Sequence, residues 1–113
     1  MKIYHNPRCS KSRQTLEIIN KHNVDLEIVE YLKESVTEQE LKSLIEKLGI
    51  PAEQLVRKGE SAYKENFKGK VLSEQEWIKV MIQYPKLIER PIVVSNNKAV
   101  LGRPPENVFE LLK

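Results

Sequence analysis

This chain of 113 residues holds a single cysteine and so cannot close a disulfide within itself. Any redox cycle at that cysteine must take its second sulfur from another molecule. No apolar run approaches the ~20 residues that span a bilayer, and no N-terminal apolar stretch has the form of a secretion signal. A cytoplasmic protein with no membrane partner is the expectation. Charge of one sign is also lacking: 19 basic and 16 acidic residues are interspersed for a net +3, which leaves no long basic tract to follow a phosphate backbone. No nucleic-acid partner is expected. The 2 histidines, His5 and His22, stand in no His/Cys/Asp spacing that resembles a metal site, so no metal is expected. There is no low-complexity linker and no repeat, and the length suits one domain over residues 1–113 with a core that needs no staple.

What is present is concentrated near the N-terminus. In Lys2-Ile3-Tyr4-His5-Asn6-Pro7-Arg8-Cys9-Ser10-Lys11-Ser12-Arg13, the lone cysteine stands where a short strand hands over to a helix running from Ser10 to about His22. A thiol there meets the unpaired N–H groups and positive dipole end of the helix, with Arg8, Lys11 and Arg13 adding charge, so its thiolate is favoured. A free cysteine is ordinarily a small buried hydrophobe. Polar and cationic neighbours at a turn argue against that, and make Cys9 the candidate nucleophile. His5 either tunes the thiolate or is simply hydrogen-bonded at the strand end. Ser12 either bonds to the thiolate or caps backbone N–H groups. His22 reads as serving the helix dipole or solvent.

Further along, Leu26-Glu27-Ile28-Val29-Glu30-Tyr31 alternates apolar and acidic side chains as a strand does, and a parallel strand after one helix implies a βαβ unit. Thr37 with Glu40 has the spacing of a capping box ahead of Leu41, Leu44, Ile45 and Leu48, and Gly49 stops that helix. Pro51 opens a short helix holding Leu55 and Val56, after which most of residues 57–70 reads as irregular surface. Ser73 and Glu76 repeat the capping pattern before Trp77, Val80, Met81 and Tyr84, a stripe that reads as core, and Pro85 closes it. Residues 91–101 read as a hairpin, and Pro104-Pro105 open a last helix with Val108, Leu111 and Leu112. The order β-α-β, a helical insertion, then β-β-α predicts an α/β thioredoxin-like sandwich with a mixed sheet.

Three arginines adjoin structural punctuation: Arg57 after Leu55-Val56, Arg90 before Pro91, and Arg103 between Gly102 and Pro104. Any one alone reads as a solvated surface charge. Convergence of several would build a pocket for a tetrahedral oxyanion out of their planar forks of donors, but spacing does not show convergence.

The run from Ile3 to Leu16, with Leu55-Val56-Arg57-Lys58, Glu89-Arg90-Pro91-Ile92-Val93-Val94 and Leu101-Gly102-Arg103-Pro104, resembles the glutaredoxin-coupled arsenate reductases over essentially the whole chain. The resemblance implies Cys9 as nucleophile, Arg57, Arg90 and Arg103 as oxyanion-binding residues, and Pro91 as a cis-proline beside the active site. It places the family's active-site histidine on His5. The implied activity is reduction of arsenate to arsenite, in which Cys9 attacks arsenic and water departs. Glutathione, as co-substrate, supplies the next thiol, and a glutaredoxin then releases the product. No tightly bound cofactor is implied. Cys9-Ser10-Lys11-Ser12 lacks the second cysteine of dithiol thioredoxins, and Thr15 stands where the phosphatase-like arsenate reductases have an arginine. Two alternatives stay open: an Spx-like regulatory protein that binds RNA polymerase, and a glutathione-linked thiol oxidoreductase with another substrate.

Overall fold

Apolar side chains at successive positions of two short segments, Ile3-Tyr4 and Ile92-Val93-Val94, are all buried, which marks strands covered on both faces. They form β1 (Lys2–Tyr4) and β3 (Ile92–Ser95), the two central strands of a four-stranded sheet; β2 (Glu27–Val29) and β4 (Lys98–Leu101) lie at its edges in the order β2-β1-β3-β4. The computed structural model describes residues 1–112. Its contacts gather into two units, Met1–Glu34 with Arg90–Lys113, and Ser35–Glu89.

The first unit carries the whole sheet. β1 runs parallel to β2 and antiparallel to β3, and β3 pairs antiparallel with β4. Helix α1 (Ser10–Asn20) joins β1 to β2, completing the βαβ unit. Ile3 and Val93 are register partners, and with Ile19 of α1 and Val108 they form the apolar centre of this unit. The mixed sheet flanked by helices is the thioredoxin-like α/β arrangement.

Three sequence expectations need correction here. The second strand covers Glu27–Val29 rather than residues 26–31, because the Glu30 carbonyl accepts from the Lys33 and Glu34 N–H groups, both at 2.9 Å, and turns the chain away. Helix α1 stops at Asn20 rather than His22, and Asn23 at φ 50° turns the chain through the left-handed region. The final helix is a 3₁₀ helix, Pro105–Leu111, in which Asn107 Nδ2 donates to the Leu101 and Arg103 carbonyls at 3.0 and 3.2 Å. Those bonds tie its first turn to the preceding loop.

The second unit is helical: α2 (Glu38–Leu48), a 3₁₀ turn at Ala52–Leu55, α3 (Ser61–Asn66), α4 (Glu74–Gln83) and a 3₁₀ turn at Pro85–Leu87. Thr37 Oγ1 accepts from the Glu40 N–H at 3.0 Å, and Gly49 ends α2 in the left-handed region at φ 70°. Both bonds of the Ser73–Glu76 capping box are made at the start of α4. Leu41, Leu44 and Ile45 of α2 and Trp77, Ile78 and Met81 of α4 are buried in this unit. Helix α3 lies within the stretch expected to be irregular. Its reason is tertiary: Tyr63 and Phe67 pack on the Trp77 ring, each with centroids 6.3 Å away, and Phe67 also meets Tyr84 at 5.7 Å. Among the described residues no helix is long and apolar enough to cross a membrane.

One glycine of the first unit is there for want of space. Gly102 N–H donates to the Pro91 carbonyl at 2.9 Å, and its own carbonyl accepts from Thr15 Oγ1 at 3.4 Å. A Cβ at this position would lie 2.5 Å from Thr15 Oγ1 and 2.7 Å from Pro91 Cγ. Thr15 belongs to the buried face of α1, and the hydroxyl also donates to the Lys11 carbonyl at 2.8 Å, so it has little room to yield. Gly102→Ala should therefore destabilise the protein by about 1–3 kcal/mol, the range of an overpacked interior, read by urea denaturation. A variant as stable as the parent would show that the α1 side of this junction is soft.

Candidate active site

Cys9 is the N-cap of α1, in extended backbone conformation at φ −96°, ψ 123°. Its carbonyl accepts the first helical bond, from Arg13 N–H at 3.0 Å, and its own N–H donates to the Asn6 carbonyl at 3.0 Å. The intervening turn is tied twice more, by Arg8 N–H donating to Asn6 Oδ1 at 3.0 Å and by Arg13 Nη1 donating to the Pro7 carbonyl at 2.9 Å. The thiol is thereby delivered, part-exposed, to the start of the helix.

Burial pushes the Cys9 pKa up, but the Ser12 and Lys11 backbone N–H groups and the Arg90 guanidinium together outweigh it, and the net direction is down. The sulfur makes no regular side-chain cap bond. What these donors do is favour its anion. Arg103 Nη1 lies 3.9 Å from Cys9 Sγ and also donates to the Arg90 carbonyl at 3.2 Å. For Arg90, burial disfavours the charge, but Tyr31 and Cys9 overcome this and raise its pKa. Tyr31 is itself buried. Two arginines from loops at either side of the β3–β4 hairpin thus converge on one sulfur. The peptide bonds Arg90–Pro91 and Arg103–Pro104 are both cis.

Arg57 belongs to the second unit. There its Nε lies 3.5 Å from Glu60 Oε1 and its Nη1 3.5 Å from Glu89 Oε1, while its N–H donates to the Leu87 carbonyl at 2.7 Å. Arg57 and Glu89 directly follow the two residues of the Val56–Ile88 bridge.

His5 is buried, and its Nδ1 is 2.6 Å from Ser12 Oγ, which also accepts from the Asn6 N–H at 3.1 Å. Burial lowers the His5 pKa, with Glu30 pulling the other way and Arg13 adding to the fall. The imidazole is therefore neutral near pH 7 and lends no positive charge to the thiolate. The Ser12 hydroxyl is turned to His5 and Asn6, whereas its main-chain N–H acts on the sulfur. His22 is exposed, with Nδ1 2.9 Å from the Ile18 carbonyl and its ring against Phe109. Among the described residues no group of three or more His, Cys, Asp and Glu side chains could hold a metal ion.

A family model described as the ArsC family matches residues 4–111 of this sequence. The chain belongs to the ArsC family. An arsenate reductase of Haemophilus influenzae is 43% identical over 112 residues, covering 97% of each chain. The uncharacterized Escherichia coli protein YfgD is 48% identical over 114 residues, covering 99% of this chain and 96% of that one. The solved structure of an arsenate reductase from Vibrio cholerae superposes with a TM-score of 0.91 at 44% identity, again over 97% of each chain.

Sequence reasoning misses two residues of this ArsC site. Tyr31 was placed in a strand, and nothing in its spacing indicates that it faces Arg90. Asn6 holds both ends of the cysteine turn, and an Asn-Pro pair just before a helix start is the signal that could have found it. Because the Cys9 pKa is depressed, its thiolate persists to lower pH than that of an ordinary cysteine. Iodoacetamide alkylation followed against pH should show a midpoint below that of free cysteine (~8.5). A midpoint at or above it would mean that burial prevails over the helix and Arg90.

Proposed function

We infer that this chain reduces arsenate to arsenite through Cys9, with glutathione as the second thiol and a glutaredoxin restoring the free cysteine. The observation that supports this most is the part-exposed sulfur at a helix start with Arg90 and Arg103 beside it, in a chain of the ArsC family. Arsenate resembles phosphate in charge and shape, so a helix N-terminus plus guanidinium forks suits it. The Cys9 thiolate forms a bond to As(V) as one oxygen leaves as water, with the arginines taking up charge on the remaining oxygens. A glutathione thiolate then bonds to the Cys9 sulfur. The electron pair of the As–S bond returns to arsenic, which departs as arsenite, As(III). Two thiols have been oxidised to a mixed disulfide and arsenic reduced by two electrons. Attack of a glutaredoxin thiolate on the glutathione sulfur frees Cys9. Arg57 joins this scheme as a third oxyanion-binding group on the resemblance of Leu55-Val56-Arg57-Lys58 to the family pattern.

Arsenate-dependent oxidation of NADPH, coupled through glutathione, glutaredoxin and glutathione reductase, tests the proposal. Steady turnover is expected. Folded protein that gives none while the coupling enzymes are active would direct attention to another thiol-transfer substrate or to a regulatory role.

A further inference from the structure

The turn that delivers Cys9 is also one wall of a cavity of about 400 Å³. His5, Asn6 and Arg8 line it from the turn, and Glu30, Leu32 and Lys33 from the stretch that follows β2. It therefore lies past the carboxyl ends of the two parallel strands, joined there by His5 N–H donating to the Val29 carbonyl at 2.8 Å, which is where open α/β sheets bind ligands. The volume falls within the ~300–1,000 Å³ of small-molecule sites.

Its charges are specific. Arg8 and Lys33 are cationic, Glu30 is anionic, and His5 is neutral because burial lowers its pKa. Lys33 Nζ and Glu30 Oε1 pair at 3.6 Å, with side chains 78% and 38% exposed. An ion pair so exposed is weak and opens readily for a ligand. Leu32, itself exposed, adds apolar surface. Two cations and one anion complement a small molecule with two carboxylates and one ammonium, and glutathione is such a molecule with a thiol at its centre. Arg8, in the cavity wall, is the residue next to Cys9 in the same turn, so a ligand held there lies on the turn that carries the thiol.

We propose that this cavity is the glutathione subsite: a carboxylate of the tripeptide is held between Arg8 and Lys33 and its ammonium by Glu30, which presents the thiol to the Cys9 sulfur. The assignment rests on the glutathione-linked reaction proposed above. S-methylglutathione, whose sulfur cannot exchange, separates the two. In an NMR titration of the intact chain it should shift the amides of Asn6, Arg8 and residues 30–33. Lys33→Glu should weaken that binding roughly fivefold, and added salt should weaken binding to the parent. In the coupled assay the same variant should raise KM for glutathione by a similar factor and leave KM for arsenate unchanged. Shifts confined to other surfaces, or parent-like binding by Lys33→Glu, would overturn the subsite even where arsenate is turned over. Binding at these residues with no arsenate turnover would support the subsite and overturn the reductase proposal.

Discussion

Cys9→Ser should leave arsenate turnover at least about 10³-fold below the parent, with the fold intact. The reaction proposed above needs a sulfur that can bond to arsenic and then be left as half of a disulfide, and a serine hydroxyl can do neither step at neutral pH. Helix α1 should not suffer. Cys9 makes no side-chain cap bond, whereas serine at an N-cap accepts one from the first turn, so thermal unfolding should be unchanged or shifted upward. A lowered melting temperature would mean that the thiol packs more than it reacts. A parent-like rate would remove Cys9 from the chemistry altogether.

The second large effect is expected of Arg90→Lys. Lysine keeps the positive charge beside the sulfur, and the Arg90 backbone carbonyl that anchors Arg103 Nη1 is untouched. Thiolate formation, read by alkylation against pH, should therefore move little. What is lost, on the mechanism proposed above, is the planar pair of donors that would follow the oxyanion into its transition state. Removing one such donor costs on the order of 10² in rate, so kcat/KM for arsenate should fall by about that factor. This split between intact alkylation and impaired arsenate kinetics is the signature of a binding fork rather than a general electrostatic role. Unchanged arsenate kinetics would take Arg90 out of the site.

Legibility in the sequence followed the range of the forces involved. Capping is local, so Thr37 with Gly49, and Ser73 with Glu76, identified α2 and α4 from neighbouring residues alone. Cys9 could be read for the same reason, since the cations and helix start that favour its thiolate are within a few positions of it. Helix α3 was not legible, because Tyr63 and Phe67 are held by the Trp77 ring of α4, a contact that periodicity over so short a segment does not reveal. The shortening of β2 also escaped, since it depends on the Glu30 turn. Arg90 and Arg103 are the sharpest case. Spacing gave no reason for Arg103, 94 positions from Cys9, to lie beside it; only the resemblance of four separated motifs to one family suggested the pair.

The close approach at Gly102 carries a consequence for descent as well as for stability. A substitution there collides with Thr15 and Pro91, residues on two other segments of the chain. A lineage that enlarges this position bears that cost unless space is made at one of the other two. Enlargement at Gly102 is therefore coupled to what stands at positions 15 and 91, however far the surrounding surface diverges. A distant relative that retains both arginine loops but carries a side chain at this point should show a smaller residue opposite it.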